Sequence, residues 1–298
     1  MQGSRLAWIT VGAVFALMSL GNVVSATGSG LACPDWPLCH GRLLPPARPD
    51  VLIEYGHRLA ALVSTVLLIA TVIATFRRRP APSVRRVALT VVSLLVVQVL
   101  LGGLTVLLKL SRAASTAHLL TALLILAGLL ALCHAAARPA PVGPAPGKVT
   151  RLARAVLVVL LVQLVLGGFV RHSGAGLACP DFPLCAGELL PGHFHAVIHW
   201  THRWLGVLLL GALVHVGLVA RGTPLARLGA AVAGLGLLQV ALGIATVLLR
   251  LDPPVRALHA AVGYLLWAVT VWLALGAGAW PALGGRAHPP LGEAARVA

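Results

Sequence analysis

The 298 residues are 59% hydrophobic and only 10% charged, with a mean hydropathy of +0.95. A soluble domain carries roughly a quarter charged residues, so a water-soluble globular fold is excluded and a polytopic membrane protein is indicated. The net charge of +16, from 23 Lys and Arg against 7 Asp and Glu, would suggest nucleic acid in a soluble protein. Here the basic residues fall between apolar runs, where they report topology and contact with the lipid bilayer, and no nucleic-acid partner is expected.

Eight apolar segments are long enough to cross a hydrocarbon core of ~30 Å as helices. They cover 6–26, 52–76, 87–108, 113–137, 152–170, 194–220, 228–249 and 255–280. None alternates polar and apolar residues, which excludes a β-barrel. The first has the outline of a signal peptide, with Arg5 ahead of the apolar run and Val24-Ser25-Ala26 as a cleavage site. The repeat described next favours a retained first helix instead. Most of the basic residues collect on one side: Arg5, five Arg within 77–86, Arg138, Lys148, Arg151, Arg154, Arg221, Arg227, Arg286 and Arg296, opposed there only by Glu293. The positive-inside rule places that side, with both termini, in the cytoplasm of a multi-pass plasma-membrane protein.

The chain is a duplicated four-helix unit. Residues 29–39 read SGLACPDWPLC and 175–185 read AGLACPDFPLC, differing only at Ser29/Ala175 and Trp36/Phe182. The match runs on from Glu54, His57 and Arg58 to His199, His202 and Arg203, and from Gln98, Gly102, Thr105 and His118 to Gln239, Gly243, Thr246 and His259. An even number of helices per unit gives both units the same direction through the membrane. The expected fold is all-α, with eight transmembrane helices as two parallel four-helix bundles related by a pseudo-two-fold. The expected organisation is 1–137 for the first bundle, 138–150 as a Pro/Gly/Ala-rich cytoplasmic linker, 151–280 for the second bundle and 281–298 as a cytoplasmic tail. Gln98 with Gly102 and Gly103, and Gln163 with Gly167 and Gly168, read as small-residue packing positions.

Of 12 His, only His57, His118, His202 and His259 fall at repeat-equivalent positions inside helices. Intramembrane ionisable groups are costly and tend to be functional. His57 and His118 each lie about five residues into helices that run inward, so at ~1.5 Å per residue they share one depth near the outer surface. His202 and His259 repeat this. Two facing imidazoles in a helical bundle suit the two axial positions of a heme iron; zinc would want four ligands, and no Cys or carboxylate completes them at that depth. Arg58 and Arg203 are placed to pair with heme propionates, or to snorkel to the interface. Glu54, three residues before His57, becomes His199 in the second half, which suggests that the first site does chemistry and the second holds a cofactor. Glu54 lies near the outer interface, so its substitution is expected to spare folding. Cys33 with Cys39, and Cys179 with Cys185, sit in equivalent outer loops in an oxidising compartment and read as one disulfide per loop over each heme site. Cys133, without a repeat partner, reads as a small buried hydrophobe.

The Glu54-x-x-His57-Arg58 motif, His118, the pair His202 and His259, and a Cys pair in each of two equivalent loops resemble the heme A synthase family, over essentially all eight helices. The resemblance implies an oxidoreductase that converts the C8 methyl group of heme O to the formyl group of heme A by successive hydroxylation. It implies heme O as substrate between His57 and His118, with Glu54 catalytic, and a permanent heme b on His202 and His259. The implied partners are heme O synthase, terminal oxidase assembly factors, and an electron acceptor or donor of unspecified identity. The alternative kept beside it is a bis-His diheme membrane electron carrier of the quinol-cytochrome type, which needs neither Glu54 nor the Cys pairs. A membrane thiol oxidase would use the Cys pairs without needing four matched His, and a heme transporter would leave its heme unchanged.

Overall fold

A computed structural model describes residues 2–137 and 147–279. Eight helices follow one another: α1 (Gln2–Ala26), α2 (Pro49–Arg77), α3 (Pro82–Leu107), α4 (Arg112–Ala137), α5 (Gly147–His172), α6 (Phe194–Val219), α7 (Ala226–Leu248) and α8 (Pro253–Gly276). All eight are long and apolar enough to cross a membrane, and the described residues form no strand. The protein is an all-α, multi-pass membrane protein.

Several helices begin before their apolar run does. Pro49, Pro82 and Pro253 stand in the first turns of α2, α3 and α8, where a missing N–H costs no hydrogen bond and the fixed φ suits helix entry. Asp252 accepts from Val255 N–H at 3.3 Å and Ser111 Oγ accepts from Ala114 N–H at 3.2 Å, capping α8 and α4. The linker expected over 138–150 is shorter than hydropathy suggests, because residues 147–150 already form the first turn of α5. Thr150 Oγ1 donates to Ala277 O at 2.8 Å and ties that turn to the end of α8. Residues 138–146, Trp280 at the end of the last apolar segment, and the tail over 281–298 lie outside the described residues.

The distribution of apolar side chains is that of a protein in lipid. Leu62 and Val66 of α2, Leu208 of α6 and Leu237 of α7 face outward, while α4 and α8 form the centre and are buried along most of their length. Trp267 Nε1 of α8 donates to Leu123 O of α4 at 2.9 Å, fully buried at this crossing. A single hydrophobic cluster runs through residues of all eight helices, so the two halves share one core. Lipid tails are as apolar as leucine, so helix association rests on close packing and polar contacts. The clearest close approach joins α6 to α7, where a Cβ at Gly217 would stand 3.0 Å from Gly229 O and one at Gly229 would stand 2.8 Å from Ala220 Cβ. Across the equivalent pair, α2 and α3 touch only lightly.

The two cysteine loops fold in the same way at one end of the bundle, hereafter the loop end. Cys33 is bonded to Cys39 and Cys179 to Cys185, with Cα separations of 4.7 and 4.3 Å. Beyond each second cysteine the chain reverses through two residues of positive φ, His40 and Gly41 in one loop and Ala186 and Gly187 in the other. The N–H groups of that turn point inward to a carboxylate. Asp35 accepts from His40 and Gly41 at 2.6 and 2.7 Å, and Asp181 from Ala186 and Gly187 at 2.6 and 2.9 Å. An arginine then straps the loop to the helix below. Arg58 Nη1 donates to Asp35 O and Leu38 O at 2.8 and 2.6 Å, and Arg203 Nη1 donates to Asp181 O and Leu184 O at 2.6 and 3.0 Å.

Gly217→Val is expected to destabilise the protein by about 1–3 kcal/mol, because the added side chain forces two backbones apart. A Cβ at Gly211 on the same helix meets nothing within 4 Å, so Gly211→Ala should not lower the thermal unfolding temperature in detergent. The carboxyls of Asp35 and Asp181 are held below the usual 3.8, foremost by the N–H groups of Gly41 and Gly187. A depressed carboxyl stabilises the loop fully above its ordinary value and ceases to do so as pH falls through the lowered one. Reduction of the two disulfides by a phosphine should therefore be flat from neutral to about pH 5 and accelerate below about pH 4; acceleration nearer neutrality would remove Asp35 and Asp181 from this role.

Candidate functional site

The four repeat-matched histidines lie at one level below the loop end, each on a different helix and each against a glycine of a neighbour. A Cβ at Gly21 of α1 would stand 3.1 Å from His57 Cε1 of α2, and one at Gly102 of α3 would stand 3.4 Å from His118 Cε1 of α4. In the second half, a Cβ at Gly167 of α5 would stand 2.7 Å from His202 Cε1 of α6, and one at Gly243 of α7 would stand 3.1 Å from His259 Cε1 of α8. At Gly21, Gly167 and Gly243 the glycine thus leaves space for an imidazole that a side chain would crowd, while at Gly102 a Cβ would reach ordinary contact with the ring. Gly102, Gly167 and the Gln residues near them read from sequence as packing positions, and the structure gives them this more specific task. Gln98 Nε2 lies 3.3 Å from His118 Nε2, and Gln239 Nε2 lies 3.5 Å from His259 Nε2. Gln163, which has no counterpart in the first half, donates to His202 O at 2.8 Å.

His202 and His259 line one cavity of ≈310 Å³, together with Gln163, Gln239, Gly167 and Gly243. Its wall is otherwise mainly leucine, valine and glycine, with Arg171, Arg203, Arg256, His199 and Tyr264 as its other ionisable residues. The Nδ1 atoms of His57, His118, His202 and His259 are all buried without a hydrogen-bond partner among the described residues. No cluster of three or more His, Cys, Asp or Glu suited to a metal ion occurs among them. A metal held here by protein has two imidazole donors, so its remaining ligands must come from a non-protein group. An iron porphyrin supplies four in a plane and leaves two axial positions for facing histidines. The residues present fit that group.

Between the histidines and the loops, the two halves part. Glu54 is 4% exposed, and each of its oxygens has a donor: Cys33 N–H reaches Oε2 at 2.7 Å, and Arg58 Nη2 reaches Oε1 at 2.7 Å. His199 occupies the same place, with Cys179 N 3.4 Å from its Nδ1 and Arg203 Nε 3.2 Å from its Nε2. A neutral imidazole has one acceptor nitrogen, so it satisfies one of these donors at a time, whereas a carboxylate satisfies both. Glu54 therefore ties the first disulfide to α2 more firmly than His199 ties the second to α6. The expectation that removing Glu54 spares folding is corrected accordingly: alanine would leave a buried Cys33 N–H and the Arg58 guanidinium short of a partner, costing about 1–3 kcal/mol.

Arg58 and Arg203, singled out as partners for propionates, direct most of their donors to loop carbonyls, Arg58 Nη2 also reaching Cys33 O at 3.0 Å and Arg203 Nη2 reaching Cys179 O. Gly21, Arg171 and Arg256 also border these sites, although no motif in the sequence marks them. Each had a positional sign: Gly21 is the repeat counterpart of Gly167, Arg171 follows Gly167 by one turn, and Arg256 precedes His259 by three residues on the same helix face. Cys133 is a buried free thiol within α4, away from both sites.

A family model described as COX15-CtaA, cytochrome oxidase assembly protein, matches residues 4–52 and 48–271. The heme A synthase of Bacillus licheniformis is 31% identical over 265 residues, covering 84% of this chain and 87% of that protein. The heme A synthase of Shewanella oneidensis is 28% identical over 307 residues, covering 87% and 92%, and that of Halalkalibacterium halodurans is 32% identical over 215 residues, covering 69% and 71%. Paired imidazoles at matched depth in a duplicated helical bundle, with similarity over nearly the whole length, lead to one assignment: the chain belongs to the COX15-CtaA family of cytochrome oxidase assembly proteins.

Proposed function

We propose that this protein is an oxidoreductase of heme A biosynthesis that converts the C8 methyl group of heme O to a formyl group by two successive hydroxylations, with electrons passing to an external acceptor, oxygen supplied by water or dioxygen, and water lost from the resulting geminal diol. The relatives named heme A synthase support the reaction class. The observation that carries the reading is the pair of two-histidine sites, each cradled by glycines and each short of the ligands a metal would need from protein alone. In this reading heme O binds between His57 and His118, and a resident heme b is held by His202 and His259. The halves stand as parallel four-helix bundles related by a pseudo-two-fold, with the loop end on the outer side of the plasma membrane and both termini in the cytoplasm. Heme O synthase and oxidase assembly factors are the partners this role calls for.

Each residue then has a task in the chain's own geometry. His57 and His118 would hold the substrate heme between α2 and α4. Glu54, one turn nearer the loop end than His57, accepts a proton released from the methyl carbon or offsets positive charge developing there. Arg58 and Cys33 N–H hold that carboxylate in place from two directions. The loop strapped down by Arg58 covers the site and restricts water. A heme b at the second site supplies one-electron redox chemistry when bound. The electron-carrier alternative gives no task to a buried carboxylate braced against a disulfide.

His202→Ala and His259→Ala should each remove the tightly held low-spin heme from purified protein, since one of the two imidazoles that would hold it is lost. His57→Ala and His118→Ala should keep that heme and stop heme O conversion, as read by extracting and weighing the pigments. The opposite pattern would reverse the roles of the halves. Glu54→Gln retains the shape and the bond to Cys33 N–H while removing the charge. It should bind heme O and heme b yet form little heme A; production at the parent rate would remove Glu54 from the chemistry.

A further inference from the structure

The charge at the loop end is distributed unequally between the sites. Arg171 of α5, Arg203 of α6 and Arg256 of α8 all line the second-half cavity, and no Asp or Glu lines it. The repeat counterparts in the first half are Ser25, Arg58 and Ser115. Arg58 is further neutralised by Glu54 at 2.7 Å, whereas Arg203 faces His199. Three cations therefore converge on one site, and a compensated pair stands at the other.

Such a cluster is costly in a membrane unless an anion completes it. Arg171 and Arg256 are nevertheless fixed in place by α1. Arg171 Nε donates to Ser25 Oγ at 2.8 Å and its Nη1 to Asn22 Oδ1, which also accepts from Tyr264 OH at 3.2 Å. Arg256 Nη2 donates to Ser25 O at 3.3 Å and to Ala26 O, while its Nε is buried with no partner among the described residues. Neutral oxygens of Ser25, Asn22 and the α1 backbone orient the two guanidinium groups and leave their charge unopposed.

We propose that Arg171 and Arg256, aided by the charge of Arg203, form a clamp for the two carboxylates of a porphyrin, and that this clamp makes the second-half site retaining while the first exchanges its ligand. The inference rests on the reading that a heme occupies the second half. Charge-assisted bonds to carboxylate are the strong ones. With Ser25 and Ser115 in the corresponding places, the first half lacks them and releases its product to a downstream acceptor. The same positive charge favours the reduced state of a second-half heme and directs electrons toward it.

The test uses purified holoprotein and follows heme transfer to excess apomyoglobin. Arg171→Gln and Arg256→Gln should each speed the loss of the tightly held heme about ten- to a hundredfold, and should lower the midpoint potential of the heme that remains. Arg171→Lys and Arg256→Lys keep the charge and should restore the potential and most of the retention. Release at the parent rate in both Gln variants would overturn the clamp. So would equal release from Lys and Gln variants with unmoved potentials, which would assign both arginines to joining α1 to α5 and α8. If the Gln variants instead lose a co-purifying anionic lipid while heme is retained, the anion is a headgroup and the proposal fails. An unchanged low-spin spectrum in His202→Ala would show a different failure, that of the second-half assignment itself.

Discussion

A polar side chain carried into a bilayer leaves water behind, and everything placed around the four imidazoles answers to that loss. Each ring needs a neighbour that is small enough to let it in and a ligand or polar partner that repays its desolvation. The glycines at 21, 102, 167 and 243 meet the first need, because a Cβ at any of them would stand within 3.4 Å of a ring carbon. The second need is met only in part by protein, since every Nδ1 remains without a partner among the described residues. A fold that accepts four such groups at matched depth is built around what binds between them.

Duplication makes the molecule its own control. Both loops use the same carboxylate-filled turn, the same disulfide and the same arginine strap, so these features serve a requirement common to both halves. The differences then carry the functional content. Replacing Glu54 by His199 exchanges a group that satisfies two donors for one that satisfies one, and removes a negative charge. Replacing Ser25 and Ser115 by Arg171 and Arg256 adds positive charge at the same level of the second site. A braced carboxylate stands beside one site and a cationic cluster without an acidic partner beside the other, and the proposed division into chemistry and retention rests on that difference.

Shared packing couples the halves despite this division. The central helices α4 and α8 are buried against each other and against α1 and α5, and Asn22, Ser25 and Ala26 of α1 hold the arginines of the second site. The first helix therefore completes a site in the other half. The close glycine contact between α6 and α7 and the loose one between α2 and α3 extend the same asymmetry to the scaffold.

The eight spans, the duplication, the four histidines, Glu54 and the cysteine pairs were all legible in the linear sequence, because bilayer thickness imposes helix length and a repeat aligns functional residues by simple offset. Helix starts were displaced where proline and polar first turns extend beyond the apolar window, as at Pro49, Pro82 and Gly147. What only tertiary structure decided was the set of contacts that cross between helices distant in sequence. That Gly21 receives His57, that Arg58 serves the loop, that Glu54 is buried between Cys33 and Arg58, and that Arg171 and Arg256 meet at Ser25 depend on the packing of α1, α2, α5 and α8. In lipid that packing is set by shape and hydrogen bonding between helix faces, and hydropathy along the chain carries no record of which face meets which.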